Sequence, residues 1–171
     1  FIGHTIILTK ETEPGNTYDG IIINIPEQKL YFFYKGTLSK IYKVSVGKPD
    51  DKWKTPTGDF KILFKDKAPT WHVPLSIQNE MKAQGRTVKT EIKPGINNPL
   101  GNWYMGINKN GLGIHSTNAP ASIGYSVTHS CIRMNPKSAA ELFNLVKVNT
   151  PVKIIYQPIK LDIDGKKQVY L

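Results

Sequence analysis

The 171-residue chain contains a single cysteine, Cys131, so no internal disulfide can form. No uninterrupted apolar run approaches the ~20 residues that a membrane-spanning helix needs. Internal repeats and low-complexity tracts are absent. The chain begins at Phe1 with neither an initiator methionine nor a basic-then-apolar leader, which reads as a processed or trimmed product whose export signal has been removed. A formal net charge of +10 comes without a compact basic helix or an arginine–aromatic stripe, so nucleic acid is not the expected partner. The lysines are instead scattered, as at Lys29, Lys35, Lys40, Lys43, Lys48, Lys52 and Lys54. They read either as a solvated basic surface or as long-range attraction to an acidic polymer.

What is present is a series of short apolar stretches punctuated by glycine, proline and asparagine. A chain of this length is one domain, or one domain with a small appendage, able to bury roughly 70% of its unfolded surface. Strands are expected at 5–9, 20–25, 30–34, 38–46, 59–64, 102–107, 112–115, 128–134 and 151–156. Ile41, Tyr42, Val44 and Val46 are the anchors of the strand at 38–46. The fold class that follows is mostly β, an antiparallel sandwich or barrel-like domain with one principal helix after the 128–134 strand. That helix starts at the N-cap Asn135 with Pro136 at its first position, and Ala139, Leu142, Phe143 and Val146 form its apolar stripe. A shorter helix is expected at 76–84, capped by Ser76 and ended by Gly85. The rest of the proline-rich 65–99 stretch, with Trp71, Met81 and Ile96, is expected to pack as a lid or wall. The main domain is placed at 1–156, and 157–171 as a tail or small hairpin turning at Asp164-Gly165.

The stretch of greatest chemical interest runs from Gly113 to Met134. As a strand its second half has a side-chain period of two, which puts His129, Cys131 and Arg133 on one face and Ser130, Ile132 and Met134 on the other. His115 lies upstream, and the intervening loop can fold it back over Cys131. A thiol is a strong nucleophile only as thiolate, and an imidazole within hydrogen-bond reach can take its proton and later return it. Such a base needs a third group, often a backbone carbonyl, to fix its tautomer, and backbone N–H groups around Ser130 and Cys131 suit an oxyanion hole. The competing chemistry is zinc held by His115, His129 and Cys131, but the compact spacings of common zinc sites are missing. No metal or other cofactor is expected. His4 and His72 read as ordinary surface or loop residues.

Two segments, His115-Ser116-Thr117 and Thr128-His129-Ser130-Cys131-Ile132-Arg133-Met134, resemble the signature of the L,D-transpeptidase catalytic domain (the YkuD-type family). That signature is a His-Gly-Thr segment followed by Ser-His-Gly-Cys-Ile/Val-Arg-Met. The likeness extends through 22–34, Lys54-Thr-Pro-Thr-Gly-Asp-Phe60, Pro69-Thr-Trp71, Asn98-Pro-Leu-Gly101 and 151–158, and is greatest to periplasmic members from Gram-negative bacteria. The resemblance implies a periplasmic or cell-envelope enzyme acting on peptidoglycan stem peptides, with Cys131 forming a thioester as D-alanine leaves. His115 would be the base, with His129 a partner and a rival for that role. Arg133 would grip a substrate carboxylate, with Ser116, Ser130, Tyr104 and Gly111 lining the site. The acceptor would be a second stem peptide, a lipoprotein lysine, or water, the last making the enzyme an L,D-carboxypeptidase. An inert wall-binding domain is the remaining alternative. Ser116 and Ser130 stand where the family carries glycine. If the glycine at 130 serves a positive φ, serine there costs strain.

Overall fold

The computed structural model describes residues 18–159 and, as backbone, two short strands at 162–163 and 169–170. His4, the expected strand at 5–9 and the Asp164-Gly165 turn lie outside the described residues. In chain order the strands are β1 (Gly20–Asn24), β2 (Lys29–Tyr34), β3 (Thr37–Gly47), β4 (Gly58–Lys61), β5 (Phe64–Lys67), β6 (Trp71–His72) and β7 (Glu91–Ile92). They continue as β8 (Trp103–Gly106), β9 (Gly113–His115), β10 (Ser126–Thr128), β11 (Ile132–Met134), β12 (Pro151–Ile155), β13 (Asp162–Ile163) and β14 (Val169–Tyr170). Helix α1 (Leu75–Ala83) falls between β6 and β7, and α2 (Pro136–Leu145) between β11 and β12.

One sheet runs β4-β12-β1-β2-β3-β11-β9-β8-β5, with β10 added alongside β3. Its two end strands, β4 and β5, are consecutive in the chain and joined by Ile62 and Leu63 alone. A sheet whose edges are tied by two residues must curl, and this one closes into a barrel-like half-shell. The expected single strand at 59–64 is therefore two strands. Buried Ile62 turns the corner, its N–H donating to the Thr150 carbonyl and its carbonyl accepting from the Asn149 N–H.

Most pairings are antiparallel, as expected, but β1–β12, β9–β11 and β3–β10 are parallel. β1, Gly-Ile-Ile-Ile-Asn, is buried throughout between β12 and β2, as a continuous β-branched run predicts for a strand covered on both faces. Alternation works for β3, where Tyr42, Val44 and Val46 point inward, and it puts Ile41 on the solvent side, 54% exposed rather than an anchor. The core inside the curl is Ile21, Ile23, Leu30, Val44, Val46, Met105, Ile114, Ile132, Met134, Val152 and Ile154, closed by Ala139, Leu142 and Val146 of the α2 region. Helix α2 begins as its sequence dictates: the Asn135 side chain accepts from the Lys137 N–H at 3.0 Å and Pro136 occupies the first turn.

The 65–101 region packs as a wall with its own small core of Val73, Ile77 and Met81 against Trp53, Trp71 and Ile92. Two expectations fail there. Ser76 lies inside α1, which starts after Pro74 with no side-chain cap, and Ile96 is 88% exposed instead of packed. Buried Asn98 ties the wall together, its Nδ2 donating to the Pro69 carbonyl at 2.8 Å and its Oδ1 accepting from the Leu100 N–H at 2.9 Å.

Candidate active site

The outer face of β8, β9, β11 and β3 carries one continuous cross-strand row. Tyr104 is in register with His115, His115 with Arg133, and Arg133 with Ser45. Their chain neighbours Met105, Ile114, Ile132, Val44 and Val46 face the core, so period-two geometry sends all four row residues to the other side. The loop from 116 to 131 crosses over that side. Ser45 Oγ donates to the Ser122 carbonyl at 2.6 Å and accepts from the Gly124 N–H at 3.1 Å. Strands β9 and β11, linked by that loop, thus bring His115 beside Arg133, with Cys131 at the entry to β11.

The expected strand at 128–134 is interrupted. It divides into β10 and β11, and Ser130 between them has φ +76°. This is the left-handed backbone that glycine adopts freely and that costs a serine ~1–3 kcal/mol. A left-handed residue ends the strand alternation, so the shared face expected for His129, Cys131 and Arg133 does not extend to His129. Its Nε2 instead meets Oε2 of Glu80 on α1 at 2.9 Å, and its ring stands edge-on to Trp53 at 4.3 Å. That hydrogen bond holds the Glu80 carboxyl below the usual carboxylate range, assisted by Lys48 and Gln84. Ser116, the other departure from glycine, has no positive φ. It is buried beside Gly101, where a Cβ would meet Ser116 Oγ at 2.6 Å.

His115 is 4% exposed. Its Nδ1 lies 2.5 Å from the Ser116 carbonyl, an acceptor only, so Nδ1 carries the hydrogen and Nε2 keeps its lone pair. The third group that the sequence left unlocated is therefore this carbonyl, which has no side-chain signature to find it by. Burial first, and the nearby Arg133 charge second, push the imidazole down to about 4 against the partial opposition of the Ser116 bond. The Tyr104 ring stacks on the imidazole at 6.4 Å between centroids and donates its hydroxyl to the Gly111 carbonyl at 3.0 Å. Gly113 leaves space for that ring, since a Cβ there would come within 2.6 Å of it.

The half-buried Cys131 thiol donates to the same Gly111 carbonyl at 3.4 Å. Burial pushes the thiol up, while the Gly113 N–H and the Arg133 guanidinium favour the thiolate. With the thiol raised and the imidazole lowered, the resting pair is neutral, a thiol and a free base rather than a thiolate and an imidazolium. Arg133 Nη1 donates to Ser122 Oγ at 2.9 Å, and its Nε is buried without a partner among the described residues. No carboxylate pairs with the Arg133 guanidinium among the described residues. Nor, among those residues, do three or more His, Cys, Asp or Glu side chains converge on a point where a metal could bind.

The displaced His115 pKa has a stability consequence. An ordinary histidine titrates near 6.5, so between pH 6.5 and 4 the unfolded chain takes up a proton that the folded chain refuses. Stability from this residue is complete above pH 6.5 and falls, by up to about 3 kcal/mol, as pH drops toward 4. Urea unfolding of the wild type and His115→Gln across pH 4–7 is expected to show the steeper slope in the wild type. Equal slopes would contradict the assignment.

Residues 18–154 match the family model for the YkuD L,D-transpeptidase catalytic domain. The chain is 32% identical over 154 residues to the probable L,D-transpeptidase YcfS of Escherichia coli K12, covering 88% of this chain and 48% of that protein. It is 31% identical over 163 residues to the probable L,D-transpeptidase YbiS of the same strain, with coverages of 91% and 51%. It therefore spans about half the length of these curated relatives. The solved catalytic domain of the Enterococcus faecium L,D-transpeptidase matches with a TM-score of 0.62 at 23% identity, over 85% of this chain and 99% of that one. L,D-transpeptidase 3 from Mycobacterium tuberculosis matches with a TM-score of 0.61 at 18% identity, over 79% and 60%. At these identities the structural likeness speaks for the fold.

Proposed function

This chain belongs to the YkuD L,D-transpeptidase catalytic-domain family, and on that premise we propose that it performs acyl transfer between peptidoglycan stem peptides with Cys131 as the nucleophile. The donor is a stem tetrapeptide, cleaved between the L-centre of its third-position diamino acid and the terminal D-alanine. As Sγ attacks the carbonyl carbon, His115 Nε2 takes the thiol proton. A C–S bond forms, the C–N bond breaks, and the imidazolium returns the proton to the leaving D-alanine amine. An acceptor amine, from a second stem peptide or a lipoprotein lysine, then attacks the thioester. The new C–N bond forms, C–S breaks, and the amine's proton passes through His115 back to sulfur.

Position supports the remaining roles. The Ser130 and Cys131 N–H groups stabilise the developing oxyanion. Arg133, a half-buried cation with an open Nε, receives a substrate carboxylate. Tyr104 and the Gly111 turn line the donor groove, and Ser116 fixes the base through its carbonyl. His129, engaged by Glu80, braces the site wall rather than acting as the base. The setting is the cell envelope, the periplasm in a Gram-negative cell, and the main domain ends near residue 156. The observation that best supports this reading is the His115 tautomer, with Nδ1 committed to a carbonyl and Nε2 left free on the row that carries Arg133.

Incubation with disaccharide-tetrapeptide muropeptides, followed by mass spectrometry, tests it. Cross-linked dimers with released D-alanine are expected. Tripeptides alone would assign resolution to water and make the enzyme an L,D-carboxypeptidase. Unchanged substrate would leave only a wall-binding role.

A further inference from the structure

Thr55 belongs to the Lys54-Thr-Pro-Thr-Gly-Asp-Phe60 segment, which contributes no group to the chemistry above. Its side chain is nonetheless buried between two backbones. Oγ1 accepts from the Gly47 N–H at 2.8 Å, so its single hydrogen is free for one other partner, and it donates that hydrogen to the Ser130 carbonyl at 2.8 Å. The segment cannot easily drift from this place. A Cβ on Gly47 would meet the Trp53 carbonyl at 2.0 Å and the Thr55 nitrogen at 2.7 Å, so the loop runs directly against the end of β3.

The Ser130 carbonyl and the Cys131 N–H belong to one planar trans peptide and point in opposite directions. Fixing the first fixes the second. Ser130 is in the left-handed region, where a serine gains by relaxing unless something holds it. The following peptide is gripped as well, since Thr128 Oγ1 donates to the Cys131 carbonyl at 2.6 Å. Outside the strand ladders, nothing among the described residues accepts from the Cys131 N–H, the amide of the residue that carries the reacting sulfur. Turns with a left-handed residue are where successive N–H groups converge into an anion-binding concavity.

We propose that Thr55 is a positioning residue, whose hydroxyl orients the 130–131 peptide so that the Cys131 N–H faces the oxygen of the carbonyl under attack. The inference rests on the acyl-transfer reading. Its effect falls on reactions that develop an oxyanion. Alkylation of the same thiol at a saturated carbon develops none.

The test compares wild type, Thr55→Ser and Thr55→Val by two rates, acylation of Cys131 by imipenem and alkylation by iodoacetamide, both followed by intact-protein mass spectrometry. Loss of one oxyanion donor costs about 10²–10³-fold, and a misdirected one somewhat less. Thr55→Val is therefore expected to slow acylation about 10–100-fold with alkylation within about twofold of wild type, and Thr55→Ser to stay near wild type in both. Thr55→Ala, which leaves room for a water on the Gly47 N–H, serves the same comparison should the valine variant not fold. Wild-type acylation in the valine or alanine variant, or equal losses in the two rates, would overturn the inference while leaving Cys131 as nucleophile. A wild-type chain that imipenem leaves unmodified would overturn the acyl-transfer reading and the inference together.

Discussion

His115→Gln is expected to lower the rate of thioester formation about 10²–10⁴-fold, the range a positioned general base supplies. The size of the effect follows from the resting state of the pair. In an enzyme whose cysteine rests as thiolate, loss of the histidine leaves a nucleophile partly intact. Here burial raises the Cys131 thiol, and the imidazole is lowered to about 4, so the proton has nowhere to go until attack begins. The wild-type acid limb is correspondingly displaced. The base stays neutral, and acylation persists, at pH values where an ordinary histidine is already protonated. Iodoacetamide alkylation is expected to climb with pH through 8 and 9 without an early plateau. A plateau near pH 5–6 would reveal a resting thiolate and contradict the neutral pair.

Arg133→Met is expected to reduce kcat/KM for the tetrapeptide donor about 10²–10³-fold, the cost of removing one partner from a buried, hydrogen-bonded charge pair. Stability is expected to move the other way. The guanidinium is half-buried, has a buried, unpartnered Nε, and is matched by no described carboxylate, so an unbranched apolar side chain relieves a desolvation cost. The melting temperature should hold or rise while donor turnover collapses. Arg133→Lys should recover only part of the loss, because a point charge does not reproduce the planar fork. A fall in melting temperature matched to the fall in activity would mean that Arg133 supports the fold and not the substrate.

Much of this was legible before any coordinates. β-branched runs and turn residues located most of the strands, and Asn135-Pro136 placed the start of α2 to the residue, because those signals act over a few neighbouring positions. The glycine missing at 130 pointed to a positive φ, and Ser130 has one. The face assigned to His129 failed for the same reason: a period of two holds only while the backbone stays extended, and one left-handed residue ends it. Its partner Glu80 lies 49 positions away on a helix of the wall, a distance over which no local pattern carries information. The split of 59–64 into β4 and β5 was equally invisible, since Phe60, Ile62 and Phe64 alternate as one strand should. Only closure of the sheet forces the corner at Ile62. The groups that hold the site in shape are the Ser116 carbonyl and the hydroxyls of Thr55 and Thr128. A carbonyl is common to every residue and threonine is an ordinary residue of strands and turns, so neither stands out in a sequence.

The most direct measurement is the mass of the peptide carrying Cys131 after brief exposure of the chain to a tetrapeptide muropeptide and acid quenching. The expected result is an adduct equal to the donor less one D-alanine, present in the wild type and absent in Cys131→Ala. A donor that loses D-alanine at an undiminished rate in Cys131→Ala would contradict it, as would a wild-type chain that releases D-alanine with no sulfur-bound adduct.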